Sequence, residues 1–177
     1  GQPENLFANG DFEQIRGDRF TGFLWWPGQG VAVAGDGNRH WAALAGARTA
    51  LVQEIPLEPR WYSLAISCRM RLTAVRLGEE NWHDARRVME WRNADAKHVD
   101  PWPNVIRGDG TSDGWQTHRR TFVIPPGAAV LRIGPAFYAA EGKAEFDDIR
   151  VTVHQRRSDN PADLPPPAGA PDPWDDA

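Results

Sequence analysis

From Tyr62 to Leu72 every second residue is apolar. Tyr62, Leu64, Ile66, Cys68, Met70 and Leu72 carry the bulk, while Ser63, Ala65, Ser67, Arg69 and Arg71 fill the gaps. Successive side chains of a strand point to opposite faces, so this spacing predicts a half-buried strand with a polar or small outer face. The period recurs along the chain. In Trp82 to Trp91, Ala85, Met89 and Trp91 fall on the inward side, with Trp82, Asp84, Arg86, Val88 and Glu90 outward. Arg87 also falls on the inward side, where the pattern wants an apolar residue. Phe122 and Ile124 end another strand just before Pro125-Pro126-Gly127, a turn by composition. Val130 to Ile133 reads as the next strand, and Ile149, Val151 and Val153 as the inward set of the last. Only Trp41 to Val52 has helical propensity, and its two-sided apolar run suits a buried strand equally well. Short strands separated by turn signals every ~8–15 residues predict an all-β chain, an antiparallel β-sandwich.

Composition bounds what such a sandwich can do. The chain of 177 residues is one domain's worth. Residues 158–177 hold six prolines and five aspartates and no basic residue, so without them the net charge moves from −4 to +1. Such a segment cannot bury enough apolar area to offset its chain entropy. The expected organisation is therefore a sandwich over residues 1–157 and a Pro/Asp-rich linker over 158–177, a module taken from a larger protein. An isoelectric point of about 5.7 argues against a phosphate-backbone partner, so no nucleic acid is expected. No apolar stretch approaches the ~20 residues of a membrane-spanning helix, and no membrane partner is expected. The single cysteine, Cys68, cannot make an internal disulfide, and on an inward face it acts as a small hydrophobe.

Catalytic motifs are mostly absent: there is no nucleophile elbow, phosphate loop, dinucleotide fingerprint or paired-histidine zinc motif. The five histidines are scattered without ligand spacing. A glycan hydrolase would need two carboxylates about 5–10 Å apart. Asp84 and Glu90 are the one pair worth testing, and six residues apart on a strand they lie ~20 Å from each other, so another strand would have to contribute.

Four pieces, in order, carry a family resemblance: NLFANGDFE (Asn5 to Glu13), QEIPL with WYSLAISCRMRL, GWQTHRRTFVIPPGA (Gly114 to Ala128) and EFDDIRVTV. Together, over residues 5–154, the chain resembles carbohydrate-binding modules of the family 4/9/22 type. That resemblance implies a jelly-roll sandwich, galactose-binding-domain-like, attached by a linker to a secreted polysaccharide hydrolase. The segment Trp82 to Asn104 is richer in tryptophan and charge than the family pattern, and Arg87 stands where that pattern has an apolar residue. The resemblance further implies a structural calcium between first and last strands, held by Glu13 and Asp147 with backbone carbonyls. Parity with Ile149, Val151 and Val153 would point Asp147 inward, and a buried carboxylate is costly unless paired or metal-bound. At Asn9-Gly10, the glycine is expected to take the positive φ that turns the chain into the first strand.

Nine tryptophans are several times the usual number, and most should be structural. Trp25 or Trp26 matches a tryptophan that such modules bury, Trp115 reads as packing and Trp91 has inward parity; Trp61 starts a strand and Trp174 lies in the linker. Trp41, Trp82 and Trp102 remain, in stretches rich in loop formers or charge, where an indole face can cover the C–H face of a pyranose. Arg69, Arg71, Arg86, Glu90 and Arg119 are the candidates for reading hydroxyls on the outward faces. The function expected is non-catalytic binding of a β-linked plant polysaccharide (β-glucan, amorphous cellulose or xylan), with the arginines leaving an acidic glycan open. A secreted monomer tethered to a catalytic domain would thereby raise that enzyme's local concentration at its substrate. The rival functions are an interaction sandwich packed on a catalytic partner and a small jelly-roll hydrolase or lyase.

Overall fold

A computed structural model describes residues 3–25, 30–46 and 48–157. The expected linker, Trp26 and Trp174, and the side chain of Trp25, lie outside that description. Every regular element among the described residues is a strand: β1 (Ile15–Arg16), β2 (Arg19–Phe20), β3 (Leu24–Trp25), β4 (Val31–Asp36), β5 (Arg39–Ala45), β6 (Thr49–Pro56), β7 (Trp61–Arg76), β8 (Ala85–Arg92), β9 (Arg107–Gly108), β10 (Gln116–Val123), β11 (Val130–Phe137) and β12 (Glu141–Arg156). The stretch Trp41 to Val52 is thus two strands, β5 and β6. Two five-stranded sheets form, ordered β10-β7-β12-β5-β4 and β3-β6-β11-β8-β9, beside the hairpin β1-β2. All the pairings within the two five-stranded sheets are antiparallel. This is the antiparallel sandwich that the alternation predicts.

The core lies between the sheets. Leu64, Ile66, Cys68, Met70 and Leu72 of β7 face Met89 and Trp91 of β8 and Leu131 and Ile133 of β11 in one buried cluster. The opening motif closes one end of it: Phe12 stacks on Phe23 with ring centroids 5.6 Å apart and meets Phe20 edge-on at 5.0 Å. Asn9, not Gly10, carries the positive φ (53°) there, as asparagine tolerates. Gly10 is needed for a different reason: a Cβ on it would lie 2.0 Å from the Ile149 carbonyl oxygen, and the Ile149 N–H donates to the Gly10 carbonyl at 2.8 Å.

Two inward positions depart from simple alternation. Arg87 does point into the core and is fully buried, with Nε and Nη1 lacking any hydrogen-bond partner and Nη2 3.9 Å from the Met89 sulfur. Asp147, by contrast, does not point inward. Phe146 opposite Met70 faces the core, Asp147 opposite Arg69 faces out, and an extra residue between Asp147 and Arg150 restores Ile149 to the core side. Asp148, in that bulge, takes φ 50°. Parity counted back from Ile149 crosses the bulge and so gives the wrong face.

Candidate functional site

The outer face of the sheet β3-β6-β11-β8-β9 carries a groove of about 710 Å³. This is within the usual size range of a small-molecule site, roughly 300–1,000 Å³. Its floor is small and apolar. Ala50, Val52 and Ala136 form a buried cluster of their own, with Val88 and Tyr138 packed on it. Gly134, at the centre of β11 opposite Val52's row and Val88, leaves the floor open and cannot carry a side chain, since a Cβ would lie 1.7 Å from the Leu51 carbonyl oxygen. Trp82 and Trp102, the exposed tryptophans among the large hydrophobics at 39% and 62%, both line the groove. Trp82 precedes β8 and meets Tyr138 edge-on at 5.7 Å. Trp102 stacks on the His98 ring at 4.1 Å, and His98 bridges to Arg92 at the far end of β8. The two indoles therefore stand toward opposite ends of β8.

Charged side chains line the groove in an ordered way. Around Trp102, Glu90 takes Arg92 Nε and lies 3.3 Å from His98 Nδ1, while His98 Nε2 is 2.9 Å from Asp100. Arg92 and Arg132 each reach Glu54 at 4.0 Å. Around Trp82, Arg86 donates from Nε and Nη2 to the two oxygens of buried Asp84 at 2.7 and 3.1 Å. Arg107 approaches the same carboxylate at 3.8 Å, and Arg48 lines the groove wall with no ion-pair partner among the described residues. Burial pushes the Tyr138 phenol up, against the pull of Arg86, Arg132 and Arg48, so it remains a protonated hydroxyl at neutral pH.

Four residues singled out in the sequence, Trp82, Trp102, Arg86 and Glu90, meet in this groove. The other four do not. Arg69 and Arg71 belong to β7 and Trp41 to β5, on the outer face of the opposite sheet. The two long strands β7 and β8 lie in different sheets, so their outward faces cannot read one ligand. Trp41 lies within a strand, not a loop, and donates its Nε1–H to Glu145 at 2.6 Å. Arg71 binds both Glu145 oxygens at 2.8 Å and lies over the Trp115 ring at 4.7 Å, with Arg69 over the same ring at 5.0 Å. That network pairs Trp41, Arg71 and Glu145 with one another. Burial pushes the Glu145 carboxyl up, but the bonds from Arg71 and Trp41 outweigh it and hold it below its ordinary value. Arg119 lies on β10, beside a separate depression with Arg150 and His154. The groove is also lined by Arg48, Arg92, Arg132 and Tyr138, with Glu54 beside Arg92 and Arg132, all of which sequence reasoning missed. Only Arg132 had a signal, a charge between inward Leu131 and Ile133.

Asp84 and Glu90 offer no acid–base pair. Asp84 is buried with both oxygens held by Arg86, and Glu90 is engaged by Arg92 and His98.

Glu13 and Asp147 do not fit a calcium site. Both Glu13 oxygens face His40, one accepting its backbone N–H at 2.7 Å and the other 3.0 Å from Nδ1. Asp147 accepts the Asp148 N–H on Oδ1 and two donors of Arg39 on Oδ2. Arg39 reaches Asp148 as well, so a guanidinium stands over the acidic bulge. Among the described residues no group of three or more acidic, histidine or cysteine side chains is arranged to hold a metal.

No protein-family profile and no curated protein sequence matches the chain. Solved structures do. A family 16 carbohydrate-binding module superposes with TM-score 0.58 at 18% identity, covering 84% of this chain and 99% of that one. A CBM22 xylan-binding domain from Paenibacillus barcinonensis gives 0.57 at 15% identity, covering 85% and 95%. The enzymatically active domain of bacteriophage CBA120 tailspike protein 4 gives 0.64 at 11% identity, over 84% of this chain but 21% of that one, so here the chain spans about a fifth of its neighbour. With two sheets, a groove on one outer face and near-complete overlap with isolated modules, the chain has the β-sandwich fold of carbohydrate-binding modules.

Proposed function

We propose that this chain is a non-catalytic glycan-binding module whose ligand lies in the groove over β6, β11 and β8. One observation carries the reading: two exposed indoles, Trp82 and Trp102, flank an apolar, side-chain-poor floor at opposite ends of one strand. An extended chain of pyranose rings has just these needs, a flat apolar face at intervals and polar groups at the rim. Aromatic side chains supply contact area at little entropic cost. Arg86, Glu90, Arg92 and Arg132 then read hydroxyls, each already oriented by an ion pair. The fold it shares with a xylan-binding domain supports a β-linked plant glycan as the ligand class. In this reading the module is secreted, monomeric and tethered, and it raises the local concentration of an attached catalytic domain at its substrate.

Affinity electrophoresis in gels containing β-glucan, xylan or mannan tests the reading. Retardation by a glycan, lost in Trp82→Ala and Trp102→Ala with thermal unfolding unchanged, is the expected result. Each truncation should weaken binding by ~1–2 kcal/mol, roughly 5- to 30-fold. A second reading has support in the 62% exposure of Trp102 and the 55% exposure of Leu24, which would suit a sandwich packed on a partner domain. In that case the tryptophan variants change docking and no gel retards the protein.

A further inference from the structure

The groove's two ends differ in charge. At the Trp102 end, the carboxylates of Glu54, Glu90 and Asp100 face the guanidinium groups of Arg92 and Arg132 and the His98 ring. At the Trp82 end, Arg48 and Arg86 line the groove and Arg107 stands beside it, opposite Arg86. The one carboxylate these guanidinium groups pair with among the described residues is Asp84, since the exposed Glu79 and Glu80 of the preceding loop pair with none of them. Asp84 is buried and both of its oxygens are taken by Arg86, so it has little left to offer the other two cations. Arg86 keeps Nη1 uncommitted, Arg107 gives one donor to the Asn81 carbonyl, and Arg48 gives none to any described residue. Arg48 reaches this end from the turn between β5 and β6, and Arg86, Arg132 and Arg48 all act on the Tyr138 hydroxyl.

We propose that the Trp82 end of the groove is an acidic-sugar subsite, in which Arg48, Arg86 and Arg107, with the Tyr138 hydroxyl, hold the carboxylate of a uronate residue. The proposal rests on the groove being the glycan site. A planar guanidinium fork matches a carboxylate with two parallel hydrogen bonds, and such charge-assisted bonds are about twice as strong as neutral ones. A neutral pyranose would leave Arg48 with no counter-charge among the described residues and Arg107 with only a 3.8 Å share of Asp84. A uronate stacked on Trp82 brings the missing negative charge. The Trp102 end, where Glu54, Glu90 and Asp100 already supply carboxylates, takes an uncharged sugar, so the ligand is a β-linked chain with its acid at one end of the bound segment.

The test compares binding to glucuronoxylan, alginate and polygalacturonate with binding to each polymer after reduction of its carboxyl groups, by affinity electrophoresis at low and high salt. Neutral β-glucan and unsubstituted xylan run alongside. The expected result is that at least one uronate polymer is bound about tenfold more tightly than its reduced counterpart at low salt. That preference should shrink at 0.5 M salt, where screening acts within ~4 Å or so. It should collapse to within about threefold in Arg48→Ala and in Arg107→Ala. Arg76→Ala, which removes an exposed charge of the opposite sheet, should keep it. Equal binding to acidic and reduced polymers overturns the acidic subsite and leaves the glycan-binding reading standing. A preference that survives both Arg48→Ala and Arg107→Ala overturns the placement, and one that falls in Arg76→Ala moves the site to the opposite sheet. No binding to any polymer, neutral or acidic, overturns the glycan-binding reading and this subsite with it.

Discussion

Replacing Arg87 by methionine should stabilise this protein, although Arg87 is among the most buried side chains in it. The guanidinium faces no carboxylate; its near neighbours are the sulfur atoms of Met89 and Cys68, and Arg120 adds like charge. Burial, foremost, with Arg120, lowers its pKa from the ordinary arginine value to about 10. At about 1.4 kcal/mol per pH unit, that shift means the folded state bears a penalty on the order of 3 kcal/mol while Arg87 is charged. Methionine keeps most of the volume, adapts to irregular gaps and removes both the charge and the unsatisfied Nε and Nη1. Buried charges replaced by apolar side chains of similar size are often neutral to stabilising by about 1–4 kcal/mol. Arg87→Met should therefore gain about 1–3 kcal/mol, and at ~2–4 °C per kcal/mol the Tm should rise by roughly 3–10 °C. The pH dependence has a definite sign. The folded pKa lies below the unfolded one, so the penalty is complete below pH 10 and fades as pH rises from about 10 toward the ordinary arginine value. Urea unfolding at pH 7 and near pH 11 would measure both, with an unchanged m-value showing that the denatured state is the same. A variant less stable than the parent by 2 kcal/mol or more would refute the reasoning. It would mean that the guanidinium holds a buried partner worth more than its lost hydration.

Three further outcomes follow from the geometry. Glu145→Gln should flatten the acid limb of the stability curve: the lowered Glu145 carboxyl contributes stability above its ordinary value near 4.5 that is lost as pH falls through its folded pKa, and urea midpoints between pH 3 and 6 would show it. Arg39→Ala should cost about 1–2 kcal/mol by leaving the buried Asp147 carboxylate without its cation, whereas EDTA should leave the parent's Tm unchanged and added calcium should not raise it, which differential scanning calorimetry can check. Gly134→Ala should destabilise by at least ~1–3 kcal/mol, because the new Cβ meets the Leu51 carbonyl, and glycan affinity should fall with it as the groove floor lifts.

Much of this fold was legible because a strand writes its two faces into its own sequence. The alternation gave Leu64 to Leu72 as the inward set of β7, though at the strand's start Trp61 and not Tyr62 joins the core, and the same count gave Ala85, Met89 and Trp91 of β8. It marked Arg87 as an inward cation as well, without showing what surrounds it. Half of the groove was legible on the same ground, since Arg86, Glu90 and the two tryptophans lie within one stretch of chain that folds as β8 and its flanking loops. The count fails wherever an extra residue enters a strand. One residue at Asp148 turns Asp147 outward, and nothing local announces it.

The sequence by itself determined the inward side chains of the regular stretches, Leu64 to Leu72 of β7 and Ala85 to Trp91 of β8, because that depends on a period of two within a few residues. Tertiary structure alone decided which strands share a sheet, because pairing joins residues distant in the chain: Glu54 to Arg132 and Arg132 to Glu90. That decision separated Arg69, Arg71 and Trp41 from the groove and gave them to Glu145 on the opposite face. It also brought Arg48 from one turn and Tyr138 from just past β11 into the groove that Trp82 lines, and Arg107 from an edge strand to the neighbouring Asn81 and Asp84. A ligand meets one face of one sheet at a time, so the chemistry of the site is set by those long-range pairings rather than by any motif along the chain.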